Sequence, residues 1–301
     1  MSGEANTNMK HTFLNTLSLT AATLALATAR VLAQTNTIPS QPPALASANV
    51  AGSSKTAEDQ KAAEAELVKK TLNPVASLIS VPIQNNWDFG SGPAGATTYK
   101  ANIQPVIPFS LNDDLNLITR TIMPVIDAES PVIGGKNHSG LGDIQQSFFL
   151  SPKKDVGGWI VGAGPLFLYP TATDSALGSG KVGAGPTFVV LKQQSGFTYG
   201  LLASHTWSVA GWGDEDINAS YLQPFLSYST KTYTTFSVNT ESTYEWQSQQ
   251  WTVPVNFTVS QLMKIGRQPI SFQIGYRCYA DGPSGGPEWG LRFGVTFLFP
   301  K

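Results

Sequence analysis

From Ser77 to the end of the chain, apolar residues recur at every second position. No other feature of the sequence constrains the fold as strongly. The last segment is the clearest. Trp289, Leu291, Phe293, Val295, Phe297 and Phe299 alternate with Glu288, Gly290, Arg292, Gly294, Thr296 and Leu298. Residues 250–260 repeat the pattern with Trp251, Val253, Val255, Phe257 and Val259 against Thr252, Pro254, Asn256, Thr258 and Ser260. In residues 270–279, Ile270, Phe272, Ile274, Tyr276 and Cys278 face Ser271, Gln273, Gly275, Arg277 and Tyr279. Successive side chains of a strand point to opposite faces, so each segment has one apolar and one polar side.

Read backwards from these segments, the pattern predicts twelve strands, near 79–89, 98–109, 115–126, 141–150, 158–169, 181–192, 197–209, 217–229, 233–246, 250–262, 269–280 and 288–299. Short turns (111–114, 151–157, 193–196, 230–232, 263–268) alternate with longer Gly- or charge-rich loops (90–97, 127–140, 170–180, 210–216, 281–287). A connection at 247–249 is too short for that scheme. Only 13% of residues are charged and 10% are aromatic, and past residue 33 no apolar run approaches the roughly 18–20 residues of a spanning helix. Outward aromatics are expected in two rows. Trp87, Tyr99, Tyr169, Trp207, Tyr244, Trp251, Tyr276 and Trp289 lie toward the loops, and Phe109, Trp159, Tyr199, Tyr233, Phe297 and Phe299 toward the turns. Two such belts suit rings placed at the two membrane interfaces. The expected fold class is therefore all-β: a transmembrane antiparallel up-and-down β-barrel of about 12 strands, with a short N-terminal helix. Pro105, Pro124, Pro165, Pro186, Pro224 and Pro254 stand against it, because each removes a ladder donor inside a proposed strand.

The first 74 residues read differently. Lys10 and His11 precede an apolar stretch from Leu14 to Ala29, and Val31-Leu32-Ala33 forms a cleavage site. Residues 1–33 are thus expected to be a secretory signal, with either Met1 or Met9 as its start. Residues 34–74 form a linker rich in Pro, Ser, Ala and Asn that ends in a helix at 56–73. Thr56 and Asp59 cap that helix, Lys69 and Lys70 fill its last turn, and Asn73-Pro74 stops it. Its apolar stripe of Ala65, Val68 and Leu72 is thin. Packing on the barrel rim, plugging the lumen and lying in solvent all stay open. Residues 75–301 are the barrel.

Several segments together resemble a known group: Gly140-Leu-Gly-Asp-Ile144, Gly164-Pro-Leu-Phe167, Pro170-Thr-Ala-Thr-Asp174 with Leu177-Gly-Ser-Gly-Lys181, Gly185-Pro-Thr-Phe188, His205-Thr-Trp-Ser-Val-Ala-Gly211 and Gln223-Pro-Phe225. From about Leu67 onward the chain is similar to an outer-membrane family labelled "putative MetA-pathway of phenol degradation", also called neuromedin-U-like or transporter. The resemblance implies a barrel in the cell outer membrane, passage of small or aromatic compounds, and strand prolines as a family habit. It carries over no catalytic or binding residue.

If the apolar faces meet lipid, the polar faces line the lumen. Asp88, Lys100, Asn102, Arg120, Glu241, Glu245, Arg277 and Arg292 are the candidate lumen residues. Folding the last two strands about their loop centre sets Arg277 opposite Arg292. That like-charge pair needs an acid nearby, and Glu241, Glu245 and Asp88 are the candidates. A charged constriction that selects solutes and a salt-bridge network that braces the wall fit the sequence equally. Two Gly-Ala-Gly-Pro copies, at 162–165 and 183–186, either kink their strands or leave a bare wall for a plug or ligand.

Other chemistry is poorly supplied. Cys278 is the single cysteine, which excludes a disulfide framework and a cysteine zinc site. His205 and Ser208 differ by three in a strand and point to opposite faces, so they make no nucleophile–base pair. His138 is a lone loop histidine, and Asp214-Glu215-Asp216 reads as a solvated acidic tip. No catalytic residue, cofactor or metal is expected. A formal charge of −1 and the lack of a basic stripe point away from nucleic acid. The expected partners are outer-membrane lipids and a small-molecule solute, met in a passive channel with a polar lumen. A closed structural or surface-interaction barrel and a lipid-acting enzyme are the alternatives.

Overall fold

A computed structural model describes residues 50–300 apart from Asp214, with side chains from residue 58 onward. The signal sequence expected at 1–33 and the linker as far as residue 49 lie outside the described residues. Helix α1 (Val50–Thr71) leads into β1 (Ile79–Ser91), β2 (Ala96–Ile103), β3 (Val106–Ser110), β4 (Leu115–Ala128), β5 (His138–Leu141), β6 (Ile144–Pro152) and β7 (Ile160–Tyr169). After a short 3₁₀ turn at Ser175–Leu177 come β8 (Lys181–Gln194), β9 (Phe197–Gly211), β10 (Asn218–Ser229), β11 (Thr234–Thr240), β12 (Ser242–Glu245), β13 (Gln250–Ile265), β14 (Gln268–Asp281) and β15 (Trp289–Phe299).

These fifteen segments are twelve strands, because three strands are interrupted in mid-course. β2 and β3 are parted at Gln104-Pro105, β5 and β6 at Gly142-Asp143, and β11 and β12 at Glu241. Each half still pairs with the same neighbouring strand: β2 and β3 with β4, β5 and β6 with β4, β11 and β12 with β13. The last strand closes on the first in an eleven-pair antiparallel ladder, Ile79↔Phe299 through Phe89↔Trp289. The result is a closed twelve-stranded antiparallel barrel, as the period of two predicts. Closure leaves no strand edge unpaired.

The strand prolines are absorbed locally. Pro105 sits in the β2/β3 break, and Pro254 adjoins a bulge in β13. Pro165 and Pro186 face each other across β7 and β8, so their missing donors point to the outer neighbours. There the ladders lapse: against β6 between Ser147↔Leu166 and Leu150↔Ala163, and against β9 between Ala184↔Trp207 and Thr187↔Ser204. Gly164 and Gly185, just before these prolines, admit the carbonyl oxygens of Phe148 and His205, which would collide with any Cβ there.

The connections keep one short end, with one revision. Two-residue turns join β8 to β9 and β13 to β14, with Ser195, Gly196 and Gly266 at positive φ as tight hairpins require. The 90–97 segment, expected to be a long loop, is a bulge in β1 followed by a four-residue turn, Gly92–Gly95. Its glycines supply positive φ at 90, 92 and 95, so a glycine cluster that reads as a loop is instead the end of a hairpin.

Two apolar clusters close the turn end of the lumen. Leu67 and Val68 of α1, with Leu72, Ala76 and Leu78 just after it, pack on Leu262, Leu298 and Tyr233. Val75 enters a second cluster with Ile118, Phe149, Val189, Leu191 and Leu202. α1 thus lies across the turn-side mouth. Lys264 Nζ reaches Glu64 Oε1 at 2.9 Å, Gln193 Nε2 donates to the Lys69 carbonyl at 2.9 Å, and the Tyr233 hydroxyl donates to the Lys61 carbonyl at 3.2 Å. The helix is already formed at Val50, ahead of the expected Thr56 cap. Tyr233, expected in the outer aromatic row, serves instead to hold the helix, because its backbone turns at a positive φ of 64°.

Candidate functional site

The outer faces stay apolar and exposed. Phe188, Leu222, Phe236, Phe257, Ile274, Leu291 and Phe293 are all solvent-accessible on the isolated barrel. Aromatic contacts gather near both rims. Toward the loops, Trp289 stacks on Phe89 (4.5 Å) and Tyr244 lies tilted against Trp251 (4.8 Å). Toward the turns, Phe197 meets Tyr228 (4.8 Å) and Trp159 meets Tyr199 (5.9 Å). An exterior of this kind needs acyl chains around it.

Inside lies a cavity of about 680 Å³. Its floor of charge is built by β1, β13, β14, β15 and the β11/β12 break. β14 runs three residues past its last pair with β15, so their hairpin is asymmetric. Arg277 therefore faces Gly290, and Arg292 faces Gly275. The expected Arg277–Arg292 opposition is corrected by this two-residue offset, which interleaves arginine with glycine on the inner face. Gly290 also pairs with Asp88 on its other side. A Cβ at 290 would lie 2.5 Å from Asp88 Oδ1, so the bare glycine lets Arg277 reach Asp88 over the strand between them.

The acid is supplied mainly by Glu241. Arg292 binds it bidentately, Nη1 to Oε1 at 2.9 Å and Nη2 to Oε2 at 2.8 Å, while Arg277 Nη2 donates to Oε2 at 2.8 Å. Arg277 Nη1 donates to both Asp88 oxygens at 3.1 Å. The two Nε atoms are met as well, Arg277 by Asn256 Oδ1 (2.8 Å) and Arg292 by Asn86 Oδ1 (2.7 Å). Asn256 Nδ2 continues to Asn239 Oδ1, and Asn86 Nδ2 to the Lys100 carbonyl. Both guanidiniums are almost fully buried, and charges so placed persist because their donors are used. The strand break at Glu241 frees that residue from the β11 ladder, and its N–H turns to the Pro254 carbonyl.

The other expected lumen residues divide. Lys100, Asn102, Arg120 and Glu245 all line the cavity. Arg120 Nη2 donates to Gln104 Oε1 at 2.8 Å, beside the β2/β3 break. Among the described residues neither Lys100 nor Arg120 forms an ion pair. Glu245 and Asn102 stand apart from the arginine network. The facing wall, from β6 to β10, presents Leu166, Leu168, Leu202, Tyr221 and small hydroxyl residues.

Asp143 was not among the expected residues, although it sits in the Gly140–Ile144 segment. Its carboxylate accepts from the Ser179 N–H (2.7 Å), the Ser179 hydroxyl (2.8 Å) and the Ala172 N–H (3.1 Å). Thr171 and Thr173 pair with Gly142, Ile144 and Leu141. The 140–144 and 170–181 segments are therefore one interlocked loop lattice at the cavity's loop end. His138 Nδ1 adds a 2.8 Å bond to Asp174, which helps hold that loop carboxyl below its ordinary value of 3.8. Lys181 and Ser208 do the same for Asp216. No group of metal ligands occurs among the described residues.

His205 is not near a Ser208 nucleophile. Its cross-strand neighbour is Ser220, whose Oγ lies 2.7 Å from Nδ1 and also accepts the Trp246 indole N–H at 2.9 Å. Among the described residues His205 Nε2 has no partner and no carboxylate bonds to the ring, and Trp207 lies at 4.1 Å from it. The Gly-Ala-Gly-Pro wall receives part of the strap after α1. A Cβ at Gly162 would stand 3.0 Å from Val75 Cγ1.

A closed antiparallel barrel with a lipid-facing exterior and a polar interior defines an outer-membrane β-barrel protein. No protein-family model matches the chain, and no curated protein is similar in sequence. Solved structures do match. The COG4313 outer membrane channel from Pseudomonas putida F1 superimposes with a TM-score of 0.59 at 15% identity, over 74% of this chain and 94% of that one. The NanC porin gives 0.48 at 15% identity, over 72% and 98%, and the CymD monoaromatic hydrocarbon channel 0.43 at 7%, over 74% and 88%. The chain shares the fold of outer-membrane channels.

Proposed function

We propose that this protein is a passive outer-membrane channel for small molecules, aromatic or hydrophobic ones included, held shut at its turn-side mouth by α1 and residues 73–78. The observation that supports it best is the 680 Å³ cavity inside a closed wall, lined by polar groups on one side and aliphatic ones on the other. That volume falls in the range of ordinary small-molecule sites. The sequence resemblance to the phenol-degradation family favours the same solute class. In this reading the signal is cleaved after Ala33, residues 34–49 are the linker, and the turn end faces the periplasm. Asp88, Glu241, Arg277 and Arg292 brace the wall, while Lys100, Asn102, Arg120 and Glu245 meet the solute. The protein is not an enzyme in this reading.

A closed structural barrel is the second reading, favoured by the apolar seal around Val75. Single-channel conductance of the refolded mature chain, with and without residues 34–72, separates the two. A channel gains frequent, larger openings when the helix is removed. A barrel that stays silent after deletion, though demonstrably inserted, rejects the channel.

A further inference from the structure

We propose that the groove between α1 and the turn-side rim binds an anionic phospholipid of the leaflet that surrounds that rim. Its headgroup lies among Lys61, Lys69 and Lys231, and its first methylenes lie against Ala65, Leu72 and Phe197.

α1 does not meet the rim evenly. Leu67 and Val68 turn into the apolar cluster beneath the helix. Lys61, Ala65 and Lys69, one turn apart on the adjoining side, stand over the β8–β9 and β10–β11 turns instead. A groove of about 530 Å³ remains between helix and turns, continued by Leu72 just after α1. Two hydrogen bonds hold its walls together. The Tyr233 hydroxyl donates to the Lys61 carbonyl at 3.2 Å, and Gln193 Nε2 to the Lys69 carbonyl at 2.9 Å. The helix is thus fixed at points eight residues apart, roughly 12 Å along its axis.

Continuity and charge say what fills the groove. Phe197 borders it and is also exposed on the barrel's outer face, where it packs on Tyr228 at 4.8 Å. Both rings border an apolar concavity of the outer wall with Leu226 and Phe236. An acyl chain lying on that wall therefore reaches the groove without crossing water. Every charged side chain that borders the groove is a lysine, and none of the three forms an ion pair among the described residues. The acids of α1 do not border it: Glu64 pairs with Lys264 and Glu66 with Lys70. Exposed lysines beside an apolar strip lay their methylenes along it and hold their ammonium groups at headgroup depth. They need not converge on one phosphate, because such attraction reaches across about 8–10 Å. A zwitterionic headgroup would bring an amine that finds no carboxylate here, and a soluble anion would leave Ala65, Leu72 and Phe197 uncovered.

The test is native mass spectrometry of the refolded full chain, released from neutral micelles doped with phosphatidylglycerol or phosphatidylcholine, or supplied with soluble glycerol phosphate. A lysine beside an anionic headgroup is worth about fivefold in affinity, less where salt screens it. Phosphatidylglycerol should therefore bind about tenfold more tightly than phosphatidylcholine. Lys61→Gln/Lys69→Gln/Lys231→Gln should bring the two lipids level. Lys153→Gln/Lys154→Gln/Arg267→Gln removes as much charge from turn-end positions outside the groove and should leave the preference intact. Deleting residues 34–72 should abolish it. The proposal fails if the two lipids bind alike in the unaltered chain, if both triple variants lose the preference equally, or if the helix deletion keeps it. It fails equally if glycerol phosphate binds as tightly as the lipid, which would mark a site for a free anion. Binding is read without conductance, so a barrel that stays silent after helix deletion overturns the channel and leaves this site standing.

Discussion

The two halves of the lumen wall are built from different chemistry. Around the closing seam, from β11 through β15 and β1 to β4, the inner face carries amides, carboxylates and guanidiniums in two hydrogen-bonded runs, one from Asn239 to Asn86 through the arginines and one from Gln84 through Gln104 to Arg120. From β6 to β10 it carries leucine, valine, phenylalanine and small hydroxyl residues. The seam is where the chain's ends meet, Ile79 against Phe299. Long polar side chains that reach over an intervening glycine tie non-adjacent strands there. The far half consists of consecutive hairpins, and it can spend its inner face on apolar packing with Val75. One half braces the barrel, and the other seats the strap.

The largest effect is expected from breaking the brace. Glu241→Gln leaves two buried guanidiniums without their shared charge and should cost about 3–5 kcal/mol of unfolding free energy, read from denaturant melts of the refolded barrel. An equal cost from Leu166→Ala on the far wall would remove the contrast. Next comes Gly290→Ala. Its Cβ would meet Asp88 Oδ1 at 2.5 Å and the Trp87 carbonyl at 2.6 Å, so the strands must shift at a cost of roughly 1–3 kcal/mol. The same melt measures it, and restored stability in Asp88→Ala/Gly290→Ala would locate the strain.

The strap should respond in conductance more than in stability. Leu67→Asp with Val68→Asp places charge in the apolar contact of α1 and should release the helix. Openings should become more frequent while the barrel's melting barely moves. Lys264→Ala removes only a half-exposed ion pair to Glu64 and should cost less than about 1 kcal/mol.

The smallest effect is one of pH, confined to the loop lattice. Asp174 is held below 3.8 by the His138 bond first, and Asp216 by the Lys181 bond first. Both contributions are complete above the ordinary carboxyl value and fade as pH falls through the depressed ones. Protease cleavage in the 170–180 and 212–217 loops should therefore rise only below pH 3.8. A rise that begins near pH 6 would implicate another group.

The strand count, the inner and outer faces and the two aromatic rows are legible because they follow from a period of two. That signal is local and repeats in every strand, and a shift of one residue would expose a whole face. Of the eight residues singled out by the same parity, seven border the cavity, and Asp88 pairs with Arg277. Their partnerships were not legible. Parity survives a two-residue slip, so Arg277 and Arg292 keep their side but change their neighbours. That slip depends on the asymmetric hairpin before Trp289.

What the sequence determined alone was therefore the class of fold: twelve strands, lipid outside, polar groups inside, and a helix ahead of them. The tertiary structure decided which charges neutralise each other and which stay available. It also decided that the strand prolines sit where ladders lapse, and that the thin stripe of α1 lies across the turn-side mouth. Alternation is written residue by residue along the chain. Contacts such as Glu241 with Arg292 join positions 51 residues apart, and only the closure of the barrel brings them together.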